Sequence, residues 1–133
     1  MKFEQVGFHP TEDRPLNFVE QLNQTWTYAV ALTATRQLLR LHPDVGGFRV
    51  APGAHMSLPL DVMSVQDGQV GAETFAAVHP SNNDKLKGDL DKLAGRTERH
   101  RYVFFCSPAF PQTERLSKLE RNGVEVWSVA AVT

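Results

Sequence analysis

The sequence predicts an α/β fold, a mixed β-sheet flanked by helices, in the order helix, three strands, helix, strand, helix, strand (αβββαβαβ). Three observations predict it. A stretch from Asn17 carries apolar residues at helical spacing and stops at Pro43. The period then shortens to that of strands, with Asp67-Gly68 between two apolar runs as a hairpin signal. Beyond Val78, two helical stretches alternate with two strands. Strands that alternate with helices pair in parallel through right-handed crossovers, whereas the hairpin supplies an antiparallel portion.

Residues 1–16 read as an irregular arm, because Pro10 and Pro15 flank the polar run Thr11-Glu12-Asp13-Arg14. Residues 17–133 read as a single domain. Asn17 caps the first helix, and Glu20 three positions later completes a capping box. Phe18, Leu22, Trp26, Ala29, Val30, Leu38 and Leu41 form its apolar face. Ala29 to Leu32 is apolar on all sides, which predicts deep burial there. Phe48 to Val50, Leu58 to Val65 and Val70 to Val78 are the three strands. Asn82 or Asn83 caps the second helix, Leu86, Leu90 and Leu93 form its apolar face, and Gly95 stops it. Tyr102 to Ser107 is apolar on both faces, the pattern of a central strand. Thr113 to Asn122 reads as a third helix closed by Gly123, and Val124 to Val132 as the last strand.

A chain of 133 residues suits one hydrophobic core, and 41% hydrophobic with 22% charged residues is an ordinary globular composition. The formal net charge of -1 lacks the basic excess of a protein that grips duplexes without regard to sequence. Cys106 is the single cysteine, so no internal disulfide forms, and its apolar surroundings make it a core residue. Met1-Lys2-Phe3-Glu4-Gln5 has no signal-peptide pattern. The longest uncharged run, Gln21 to Thr35, is too short and too polar to span a bilayer. A cytoplasmic protein without a membrane segment is expected. The five histidines show no ligand spacing, and neither a Gly-rich phosphate loop nor a Gly-x-Ser-x-Gly elbow is present.

Two acids stand out. Asp61, in Pro59-Leu60-Asp61, opens the second strand, and Glu73, in Glu73-Thr74-Phe75, lies in the third. With the element order from Asn17 to Val132, they resemble the PD-(D/E)xK, or restriction-endonuclease-like, nuclease superfamily. The resemblance implies that Asp61 and Glu73 are ligands of Mg²⁺ or Mn²⁺, with the backbone carbonyl of Phe75 as a further ligand and Glu20 as a weaker candidate from the first helix. Such an ion polarises a phosphate and lowers the pKa of a bound water. The chain departs from the pattern at Phe75, where the family has lysine. A phenyl ring neither orients water nor carries charge. Some relatives place the lysine on the next helix, where this chain has Lys85 and Lys87. Lys85 is therefore the candidate catalytic replacement. Solvated helix charges are the plainer reading of both lysines, and the capping box is the plainer reading of Glu20.

Hairpin register decides whether the acids meet. A strict two-residue turn at Asp67-Gly68 sets Asp61 opposite Thr74 and sends the acids to opposite faces, whereas a three-residue loop with a bulge sets Asp61 opposite Glu73. An unpaired acid in the otherwise apolar third strand is costly to bury, so Glu73 needs either a metal or a cationic partner such as Arg49 or Lys85. The basic run Arg96 to Arg101 is the best local phosphate patch, with a solvated loop as its plainer reading. The preferred functional expectation is a non-catalytic relative that binds a protein or nucleic acid, with Phe75 marking the loss of chemistry. The alternative is a Mg²⁺- or Mn²⁺-dependent nuclease with Lys85 in the lysine role. Homodimerisation is expected on general grounds.

Overall fold

The structure, a computed structural model, describes residues 15–51 and 58–130, with the side chains of 15–26 and of Asn83 left outside the description. Positions 1–14 of the expected arm also lie outside the described residues, whereas Pro15 and Leu16 belong to a helix.

That helix, α1 (Pro15–Leu41), ends at the turn that Pro43 opens. It is already helical at Pro15, so Asn17 lies inside it and is not its cap. Val30, Ala31, Ala34 and Leu38 are buried against the sheet. Leu32 is 57% exposed, which corrects the expectation of burial on all sides. A helix laid on a sheet has one face to bury, and Leu32 sits with Tyr28 and Leu39 on another.

The strands are β1 (Phe48–Val50), β2 (Val62–Ser64), β3 (Val70–Ala76), β4 (His100–Cys106), β5 (Glu114–Arg115) and β6 (Val124–Ser128). They form one mixed sheet in the order β1-β2-β3-β4-β6-β5. β1, β2 and β3 are antiparallel neighbours, while β4 runs parallel to both β3 and β6. β2 is shorter than the expected 58–65, and Pro59, which has no amide hydrogen to donate to a ladder, lies in the bend before it.

After β3, a 3₁₀ turn (Asn82–Asp84) leads into α2 (Lys85–Ala94), which Gly95 caps. The expected third helix over 113–122 is not there. The segment instead forms β5 and a 3₁₀ turn, Ser117–Leu119. Its only large apolar side chains are Leu116 and Leu119, too few for a helical face. Side chains hold the irregular path: Arg115 grips Glu120 through two hydrogen bonds of 2.7 and 2.9 Å, and Ser128 Oγ donates to the Gln112 carbonyl at 2.6 Å. The turn into β6 uses left-handed backbone at Asn122 and Gly123.

The sheet separates two apolar layers. On one face, Val62, Val70, Ala72, Tyr102 and Phe104 meet α1. On the other, Leu60, Phe75, Val103, Phe105, Val124 and Val126 meet Leu90 and Leu93 of α2. β4 supplies both layers, as its apolar run predicts. Cys106 is half-buried beside the α1 layer, and burial pushes its thiol pKa up. Among the described residues, no helix is long and apolar enough to cross a membrane.

Candidate active site

The β2–β3 ladder pairs Val62 with Ala72 and Met63 with Gly71. One step further along, this register sets Asp61 opposite Glu73. It differs from that of a strict two-residue turn. Residues 65–69 make the connection, with left-handed Gly68 in the turn and Ser64 Oγ bonded to both the Gln66 carbonyl and the Val70 amide.

β2 does not extend to Asp61, so the β3 amide at Thr74 has no partner from a β2 carbonyl. The Asp61 side chain takes that place: its Oδ2 accepts from Thr74 N at 2.8 Å and from Thr74 Oγ1 at 3.2 Å. Asp61 is thereby fixed and buried. Glu73 is buried beside it, on the sheet face that α2 covers. Its Oε1 lies 2.6 Å from Lys92 Nζ, a contact of charges outside hydrogen-bond alignment. Burial pushes the Glu73 carboxyl up to about 7; Lys92 opposes the rise and the neighbouring Asp61 adds to it.

α2 contributes a third acid. Asp89 is buried, and its Oδ1 accepts from Lys85 Nζ at 3.3 Å, while its buried Oδ2 has no hydrogen-bond partner. Burial pushes its carboxyl up; Lys85 opposes this and Asp61 adds to it. Asp61, Glu73, Asp89, Lys85 and Lys92 line one open cleft of about 480 Å³, which Thr27 of α1 also borders.

The structure thus brings Asp61, Glu73 and Lys85 into one cleft. Glu20 lies on α1, about two turns before Thr27, and its side chain is outside the described residues. The expected partners of Glu73 are corrected: it pairs with Lys92, not with Arg49 or Lys85. Phe75 turns its ring into the core, stacked on Phe105 with centroids 5.5 Å apart. Lys87 pairs with Asp91 on the exposed side of α2, as a solvated charge.

In the basic run 96–101, two of the arginines make internal contacts. Arg96 grips Glu98 through bonds of 3.0 and 2.6 Å, and Arg101 donates to the carbonyls of Leu93 and Asn122, tying the end of α2 to the turn before β6. Lys92 and Asp89 were not singled out from sequence. The signal was their spacing: residues 85, 89 and 92 form one helical stripe beside the apolar face of Leu86, Leu90 and Leu93, where it meets the sheet.

Among the described residues, no group of three or more His, Cys, Asp or Glu is arranged to hold a metal ion. The pair Asp61 and Glu73 nonetheless suits Mg²⁺, which binds through one or two carboxylates and keeps waters or substrate phosphate as its other ligands. Two adjacent carboxylates, one with its pKa raised by burial and by its neighbour, gain from a divalent charge between them. No family model, curated protein or solved structure matches the chain.

Proposed function

We propose that this protein hydrolyses phosphodiester bonds of nucleic acid with the help of Mg²⁺ or Mn²⁺ held by Asp61 and Glu73, in the manner of PD-(D/E)xK nucleases. The observation that carries the reading is the placement of both acids side by side in an open cleft with two lysines. The antiparallel β1–β2–β3 unit, followed by α2 and a β4 parallel to β3, keeps part of the element order on which the resemblance rests, although the helix expected over 113–122 is absent.

The bound ion would polarise the phosphate and acidify a water. The chain supplies the rest. Thr74 holds Asp61 through two bonds, so one ligand is oriented before substrate arrives. Lys92 brings positive charge to Glu73 and can offset charge that develops on the phosphate. Lys85, half exposed at the start of α2, faces an incoming phosphate at the cleft mouth. With a net charge of -1, the cleft rather than a broad basic surface would carry substrate binding.

Two observations favour a second reading, a non-catalytic relative that binds a protein or nucleic acid. Phe75 stands where the lysine belongs, and Lys92 already compensates Glu73 without a metal. Cleavage of plasmid and single-stranded DNA in Mn²⁺ and in Mg²⁺ separates the two. The hydrolase should cut, and Glu73→Gln should cut slower by about 100-fold or more. Absence of cutting, or equal cutting by the variant, sinks the hydrolase reading and leaves the binding one.

A further inference from the structure

We propose that Lys92 is a built-in counter-ion that a divalent cation must displace from Glu73, so that ion binding and the release of Lys92 toward the substrate phosphate are one event. The inference rests on the hydrolase reading and deepens it.

The geometry carries the argument. Lys92 Nζ sits 2.6 Å from Glu73 Oε1, so the ammonium occupies one of the two oxygens that this carboxylate could offer a cation. Two cations held on one carboxylate repel each other in a poorly screened site. The lysine is also free to leave. Its side chain is 41% exposed against 5% for the glutamate, and its four-carbon stem is flexible.

A place to go is already built. Asp89 is three residues back on the same stripe of α2, within the reach of neighbouring helix side chains. Its Oδ2 is buried without a hydrogen-bond partner, an arrangement that a fully satisfied structural acid would not show. A Lys92 ammonium that swings from Glu73 toward Asp89 satisfies that oxygen and stands at the cleft, ready for a phosphate. Lys85 holds the other oxygen of Asp89, so the acceptor stays in place during the exchange. The cleft then alternates between a lysine-neutralised resting form and an ion-bound form whose lysine is available.

The test compares Mn²⁺ binding, read from the electron paramagnetic resonance of free Mn²⁺, in the unmodified protein, Lys92→Met, Lys85→Met and Asp61→Asn. Both lysine variants remove one positive charge from the cleft, but only Lys92 competes for the ligand oxygen. Lys92→Met should bind Mn²⁺ at least about fivefold tighter than Lys85→Met. Binding no tighter than that of Lys85→Met overturns the proposal. If Lys92→Met does not fold, the unmodified protein with ¹⁵N-labelled lysine gives the answer. Saturating Mg²⁺ should move the Lys92 ammonium resonance, and an unchanged resonance overturns the displacement. Loss of Mn²⁺ binding in Asp61→Asn places the ion in this cleft. If no protein shows Asp61-dependent binding, the hydrolase reading falls together with this proposal, whereas Asp61-dependent binding without a Lys92 effect removes this proposal alone.

Discussion

Asp61 does two jobs that one substitution confounds. Its carboxylate carries charge into the cleft, and its Oδ2 satisfies the buried Thr74 amide at the point where β2 no longer reaches. Asparagine keeps an acceptor oxygen and removes the charge; alanine removes both. Asp61→Ala should therefore lose about 1–3 kcal/mol in urea unfolding, the cost of a buried donor left without a partner, while Asp61→Asn should lose clearly less. Equal losses would mean that the charge, not the hydrogen bond, holds this edge together. The same residue shows what single residues reveal in sequence. Asp61 and Glu73 were legible because acids are conspicuous in short apolar strands. Lys92 was not, because a lysine on an amphipathic helix is ordinary, and only the register of α2 against β3 aims it at Glu73. Asp89 was hidden for the same reason.

At the scale of elements, α2 presents both the apolar stripe that packs on the sheet and the charged stripe that lines the cleft. Gly88 interrupts the helix on its exposed side, and a methyl group added there meets nothing within 4 Å. Gly88→Ala should stabilise the protein by about 1 kcal/mol through helix propensity alone, seen as a higher thermal midpoint with the cleft intact. The matched control is Gly71→Ala in β3, where a Cβ would lie 2.5 Å from Leu60 Cδ1 and 3.1 Å from Glu98 Cγ, so the midpoint should drop. A Gly88→Ala protein that is less stable would show that α2 needs flexibility at that turn. Elements with strong periodicity were legible: α1, α2 and the doubly buried β4. The segment 113–122 was not, because Arg115–Glu120 and Ser128–Gln112 contacts between residues distant along the pattern replace the apolar face a helix would need. The shortening of β2 was readable from Pro59, whose missing amide hydrogen a strand assignment over 58–65 overlooks.

Over the whole molecule, Glu73, buried in β3, and His42, half-buried just after α1, pull stability in opposite directions with pH. Burial raises the folded pKa of Glu73 from the unfolded value of 4.5 to about 7. Its favourable contribution is therefore full below the unfolded value and is lost as pH rises through about 7. Asp89, also raised, acts in the same sense. His42 is the opposite case. Burial and the neighbouring His100 lower its pKa, against the pull of Glu125, and its Nε2 is 2.6 Å from the Tyr102 hydroxyl. Its contribution is full above the unfolded value of 6.5 and is lost as pH falls through the lowered folded value. The depressed carboxyls of Glu98 and Glu120 matter only on the acid side of the unfolded value 4.5, outside this overlap. In the window just below pH 6.5 the two slopes oppose each other, so unfolding free energy in metal-free buffer should fall less steeply there than the raised acids alone would make it. Glu73→Gln removes one of the two raised acids, so its stability should fall less with pH across the window than that of the unmodified protein. His42→Gln, which keeps an acceptor for Tyr102, removes the opposing slope, and its stability should fall more steeply. A Glu73→Gln protein with the slope of the unmodified chain would show that Lys92 keeps Glu73 ionised throughout the window. The raised carboxyl would then play no part in how this fold responds to acid.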